Sequence, residues 1–202
     1  MAKKNLLAIR EIIRQFLSDE FSPGTDLAWE NDELDLHIND CLAEISDKCP
    51  YEVKETLTTT ASSKELDISS IDDLLSIEKV EYKVGQDPPE FRNFDLWGDT
   101  LTIDIETAPA ATGDDVYIYC NKLHQLTESS STLKPQLERI LILGVCGNAA
   151  IAKAKSLIEK VNIGGSRTPA DMQGWGMSKL ALYRADLRRL AKPKTNERYP
   201  RD

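Results

Sequence analysis

The sequence predicts an α+β fold: a helical bundle built from the two ends of the chain, with a small antiparallel β lobe inserted between them. Three observations predict it. Apolar residues recur at three- and four-residue steps near both ends, the period of an amphipathic helix. Between about residues 50 and 126 the period shortens to two, in short segments rich in Thr, Val, Ile and Tyr. Turns of Ser, Asp, Pro and Gly separate these segments, and the polar run Thr127-Glu128-Ser129-Ser130-Ser131-Thr132 leads back to helix.

The first helix is expected over Asn5 to Asp19, with Leu6, Ile9, Ile13, Phe16 and Leu17 on one stripe and Ser22-Pro23-Gly24-Thr25 as its break. A second runs from about Asn31 to Lys48. It carries Leu34, Ile38, Cys41, Leu42 and Ile45 on its apolar face, Asp32 and Glu33 against its positive end, and Pro50 beyond its stop.

Strand chemistry begins at Tyr51 to Thr60. Leu66 with Ile68, Ile77 to Val84, Leu101 to Ile105 and Val116 to Cys120 bring the expectation to about five strands, spaced as in one small sheet or barrel. Val80, Tyr82 and Val84 alternate with Glu81 and Lys83, as in a half-buried strand. Gln86-Asp87-Pro88-Pro89 stops that pairing, because proline has no N–H to donate. Gly98-Asp99 reads as a tight connection into Leu101, Ile103 and Ile105. Ala108 to Asp115 reads as a loop.

Leu137, Leu141, Gly144, Ile151, Leu157, Ile158 and Val161 mark a long third helix, closed by Asn162-Ile163-Gly164-Gly165. Gly144 and Gly147 each cost about 1 kcal/mol against alanine there. They make sense where another backbone passes close by. Thr168-Pro169-Ala170-Asp171 then supplies an N-cap hydroxyl, a first-turn proline and a carboxylate. Met172, Gly176, Leu180, Tyr183, Leu187 and Leu190 line one face of the fourth helix, and Pro193 stops it. The expected organisation is a helical hairpin over 1–49, a β lobe over 50–126, two helices over 133–192 and an extended basic tail over 193–202.

With 202 residues, 41% hydrophobic and 29% charged, the chain suits one core plus a small lobe and argues against general disorder. No apolar run is expected to approach the length that spans a bilayer. The start, Met1-Ala2-Lys3-Lys4-Asn5, leads into an amphipathic pattern rather than a signal-peptide core. The expected location is the cytosol, or an assembly built there. Cys41, Cys49, Cys120 and Cys146 form no C-x-x-C pair and read as reduced, structural thiols.

The net charge of -9 is unevenly placed. Leu133 to Asp202 holds 14 basic and 6 acidic residues; Met1 to Thr132 holds 11 basic and 28 acidic ones. A negative front and a positive back suit head-to-tail contacts, or two different partners.

Catalytic signatures are mostly absent: there is no phosphate-binding P-loop, no G-x-S-x-G and no H-E-x-x-H. Nucleophilic catalysis would have to run through His37 or His124, the only histidines. His37 and Cys41, one helical turn apart, with Cys49 beyond, have a zinc-like spacing, but a fourth ligand is missing and Cys41 serves the core stripe. Asp72-Asp73, Asp114-Asp115 and Asp32-Glu33 sit where solvated or capping carboxylates belong. Gly164-Gly165-Ser166-Arg167 would offer N–H groups and an arginine to a phosphate, yet a glycine C-cap followed by an N-cap explains it without a ligand. No cofactor or metal is expected. The basic end, with Arg184, Arg188, Arg189, Lys192, Lys194, Arg198, Arg201 and Tyr199, suits nucleic acid, an acidic groove on a protein, or plain solvation.

Taken in order, two N-terminal helices, a β lobe with Val80-Glu81-Tyr82 leading to Pro88-Pro89 and Trp97-Gly98-Asp99-Thr100-Leu101, a long Gly/Ala-rich helix and a basic helical tail resemble tailed-bacteriophage head–tail adaptor proteins. The likeness spans about residues 1 to 192 in architecture. In local wording it is confined to Ile77–Ile103 and the Leu141–Ala154 helix. The resemblance implies a ring of copies, commonly a dodecamer, docked beneath the portal protein at the capsid vertex. Such a ring extends the DNA channel and offers a platform to a neck or tail protein. It also implies a virion component with no enzymatic activity and no membrane partner, past which DNA slides without specific binding. By position, portal docking would fall to Arg184, Arg188, Arg189, Lys192, Arg198 and Tyr199. Removing residues 184 to 202 is expected to abolish portal binding and leave the fold intact. The alternative is a nucleic-acid-binding accessory protein that uses the basic tail.

Overall fold

The computed structural model describes residues 3–19, 28–158 and 169–191. Its elements run α1 (Leu6–Leu17), α2 (Asn31–Lys48), β1 (Tyr51–Thr58), β2 (Glu65–Asp67), β3 (Leu74–Tyr82), β4 (Phe91–Arg92), β5 (Phe94–Trp97), β6 (Thr100–Ile103), β7 (Asp115–Lys122), α3 (Pro135–Ile158) and α4 (Pro169–Leu190). The fold is α+β, with two helices on either side of an inserted β lobe. The chain divides into a β unit, residues 50–123, and a helical unit formed by the described residues of 1–49 and 124–192.

In the helical unit, α1 starts where the Asn5 side chain accepts the Ala8 N–H at 3.0 Å, and it ends at Ser18 in the left-handed region. Ile9, Ile13 and Leu17 are buried. Phe16, expected on the same stripe, stands at its edge and is 50% exposed, with the Lys179 ammonium 5.8 Å from its ring centre. The α2 bounds are those the sequence predicts. Glu30 and Glu33 close a capping box at its start, and Leu34, Ile38, Cys41, Leu42 and Ile45 are buried. Arg10 Nε donates to Asp35 Oδ1 at 2.7 Å, tying α1 to α2.

Helix α3 packs against α1, α2 and α4. Its central place explains its composition: Leu141, Val145, Cys146 and Ala149 are all enclosed. Among the described residues it is also the one helix long and apolar enough to cross a membrane, over Pro135–Leu157. The expectation that no apolar run approaches that length is therefore corrected. The physical reason is burial against three helices, with 56% of the apolar window enclosed within the protein. Glu138, only 1% exposed, accepts the Lys4 backbone N–H (2.8 Å) and the Lys4 ammonium (2.9 Å). On α4, Gly176, Tyr183 and Leu187 are buried, and Met172, Leu180 and Leu190 pack beside them. The expected Thr168 cap, the close of α3 near Val161 to Gly165, the Ser22 to Thr25 break and the Pro193 stop lie outside the described residues.

The β unit holds two antiparallel sheets rather than one sheet or barrel: β1-β7-β3-β4 and β2-β6-β5. One apolar core takes residues from both, including Leu66, Val80, Leu101, Ile103, Val116 and Ile118. The first and last strands of the lobe pair along their whole length, Tyr51↔Lys122 through Thr58↔Asp115. Two short strands, β4 and β5, come in addition to the five expected, each four residues or shorter. The alternation expected from Val80 to Val84 is corrected. Register shifts interrupt β3, Val80, Glu81 and Tyr82 are all buried, and Lys83 in the left-handed region (φ 64) ends the strand before Val84. Glu81 tolerates burial because Tyr119 donates its hydroxyl to it at 2.7 Å. The Gly98-Asp99 connection is as expected: Trp97 pairs with Thr100 across it, and Gly98 takes φ 55.

Candidate functional site: the basic end of α4

Helix α4 owes its orientation to Tyr183 and Leu187. The Tyr183 ring lies where a side chain on Gly144 would, and its hydroxyl donates to Glu44 Oε2 at 3.0 Å. Burial is the main cause raising its pKa. Leu187 is 3% exposed. With that side turned inward, Arg184 and Arg188, one turn apart, are exposed, and so is Arg189. Arg189 pairs with Asp186 at 3.2 Å. A positive last turn also complements the negative helix end. Three of the six residues carried over by resemblance therefore stand together on one exposed helix end; Lys192, Arg198 and Tyr199 lie outside the described residues.

Beside this end lies a cleft of about 430 Å³, lined by Gln136, Arg139 and Ile140 from the start of α3 and by Asp186, Arg189 and Leu190 from α4. Sequence reasoning missed Arg139 and Asp186, which carry no motif. Their one signal is that Gln136, Arg139 and Ile140 fall at three- and four-residue steps on α3. The cleft sets the Arg139 and Arg189 guanidinium groups beside Ile140 and Leu190, a lining that suits a carboxylate next to an apolar side chain.

Among the described residues, the other candidates make contacts within the fold. His124, buried, sets Nε2 against the Cys49 carbonyl (2.9 Å) and Nδ1 against the Thr132 hydroxyl (2.9 Å), and its backbone N–H donates to Ser46 Oγ (2.9 Å). A carbonyl only accepts, so Nε2 carries the proton and Nδ1 accepts from Thr132. Burial lowers the His124 pKa, and the Cys49 carbonyl offsets part of that. Burial also lowers the pKa of half-buried His37, against Asp40 and Glu33. The Cys41 and Cys146 thiols are pushed up to about 12, chiefly by burial. Cys41 Sγ accepts from Asn148 Nδ2 at 3.4 Å. Among the described residues no three His, Cys, Asp or Glu gather as a metal site. Of the acidic pairs, Glu33 joins the capping box, and Asp32, Asp72, Asp73, Asp114 and Asp115 are exposed. The Gly164-Gly165-Ser166-Arg167 turn lies outside the described residues.

No protein-family model matches this chain, and no curated protein matches it.

Proposed function

We propose that this chain is a structural subunit of a tailed-bacteriophage virion: a head–tail adaptor, without enzymatic activity, that assembles as a ring beneath the portal protein. In this reading the ring extends the DNA channel and presents a platform to a neck or tail protein. One observation carries it: the β unit is strongly acidic, while the last turns of α4 carry exposed basic side chains. The β unit, residues 50–123, contains 16 acidic and 6 basic residues, whereas α4 ends in exposed Arg184, Arg188 and Arg189. Guanidinium groups on a rigid helix pair with carboxylates of a portal surface. An acidic surface along the channel repels phosphate and lets the genome slide.

The test is co-sedimentation with portal rings. Because Leu187 belongs to the helical core, removing residues 184 to 202 would cut into the bundle, which corrects the expectation that such a truncation spares the fold. Charge reversal of exposed side chains is the cleaner probe. Arg184→Glu with Arg188→Glu should abolish co-sedimentation while the melting temperature holds; unchanged co-sedimentation refutes portal docking through α4. A DNA affinity that falls steeply with salt, and that these substitutions remove, would support the nucleic-acid accessory reading instead.

A further inference from the structure

Trp97 is 89% exposed, at the end of β5 beside the Gly98-Asp99 turn. Leu96, next to it, is 46% exposed. An indole this exposed leaves a large apolar area in water, and covering it against a partner is favourable. The hairpin pairs Phe94 through Trp97 with Ile103 through Thr100, and the Asp99 carbonyl accepts the Ile68 N–H at 2.9 Å, fixing the turn to the chain beyond β2. Asp95 and Asp99, two residues to either side of Trp97 in the chain, are also exposed. The tip is thus an acidic hairpin with an apolar anchor.

The helical unit contains a cleft whose lining includes two arginines and one aspartate. The α3–α4 cleft is lined by Ile140 and Leu190 together with Arg139 and Arg189, and its volume of about 430 Å³ is in the range that holds a small ligand. Arg189 already pairs with Asp186, so it would bridge two carboxylates; Arg139 brings the second guanidinium.

We infer that the Asp95–Asp99 hairpin tip of one copy seats in the α3–α4 cleft of a second copy, with Trp97 as the buried anchor and Arg139 and Arg189 facing Asp95 and Asp99. Aromatic and arginine side chains are the usual anchors of protein contacts. Opposite charge around an apolar centre fixes the partner's register. The occupant is a second copy because the chain itself displays the acidic, tryptophan-tipped element that the cleft's chemistry asks for. Different patches meet, so the contact is heterologous and propagates head to tail, closing as a ring when the rotation permits. The inference rests on the adaptor reading for ring closure, and on charge and apolar surface for the contact itself.

The experiment is sedimentation velocity of the full chain alone, over a concentration series. The wild-type chain should self-associate. Trp97→Ala should weaken association by about 30-fold or more, the loss expected for an interface anchor. Asp99→Arg and Arg139→Glu should each weaken it, and the double variant should recover much of it. Circular dichroism checks that each variant is folded, as their exposure predicts. A wild-type chain that stays monomeric, a Trp97→Ala variant that assembles normally, or a double reversal that recovers nothing overturns the contact. Portal rings are absent from this experiment. A chain that assembles through Trp97 but ignores the portal sinks the adaptor reading alone, whereas a monomer that still binds the portal sinks this contact alone.

Discussion

Gly147 on α3 and Gly176 on α4 stand backbone to backbone. A Cβ on Gly176 would lie 2.9 Å from the Gly147 carbonyl oxygen, and one on Gly147 would lie 3.0 Å from that of Gly176. Real side chains do not tolerate such contacts against main chain, so the helices meet here only because both residues lack one. Gly176→Ala should lower stability by about 2 kcal/mol, since overpacking outweighs the gain in helix propensity. Gly174, on the same helix, has nothing within 4 Å of its would-be Cβ. Gly174→Ala should therefore stabilise by up to about 1 kcal/mol. Thermal melts of the two variants should move in opposite directions; a shift of the same sign would refute the close-approach account.

Glu138 anchors the entry to α1. Its carboxylate is buried, whereas the Lys4 side chain is 38% exposed, so solvent screens part of the pairing and the backbone N–H contributes much of the rest. Glu138→Ala removes both acceptors and should cost about 2 kcal/mol. Lys4→Ala should cost distinctly less, because the backbone bond survives. Chemical denaturation of both variants measures the difference.

The buried imidazole of His124 makes stability pH-dependent. Its pKa in the folded chain is lowered from 6.5, mainly by burial. The unfolded chain therefore takes up the proton first as pH falls, and the folded state loses ground. His124's contribution is complete above about pH 6.5 and declines below it, through the lowered folded value. Denaturation midpoints of His124→Gln, compared with wild type from pH 7.5 to 5, should show a shallower acid loss in the variant. An identical slope would mean that His124 titrates as freely folded as unfolded.

Cys41 and Cys146, enclosed in the helical core with pKa values near 12, are almost wholly thiol at neutral pH. Half-buried Cys49 is the more accessible sulfur. Brief iodoacetamide treatment of the native chain, followed by peptide mass spectrometry, should label Cys49 well ahead of Cys41 and Cys146, and denaturant should erase the difference. Fast native labelling at Cys146 would mean that α3 opens readily.

Much of the site was legible in the sequence, and the missing part shares one cause. Arg184, Arg188 and Arg189 could be placed on a helix because Tyr183, Leu187 and Leu190 fix its buried side by spacing alone. The cleft could not, because Gln136 and Arg139 meet Asp186 and Arg189 only when α3 lies along α4. Trp97 stands just before the Gly98-Asp99 turn, and nothing local says whether an aromatic there faces the core or water.

By itself the sequence determined the local pieces. Caps, turns and periodicity act over a few residues, so α2 begins and ends where Asp32, Glu33 and Pro50 imply, and Gly98-Asp99 turns a hairpin. The glycines of α3 announced a close neighbour without naming it. Tertiary structure chose the partners: β1 with β7 across the whole lobe, two sheets over one core, a left-handed Lys83 ending β3, and Gly147 against Gly176. Those choices rest on burial summed over residues far apart in the chain, where many pairings satisfy the same local pattern and only the packed whole separates them.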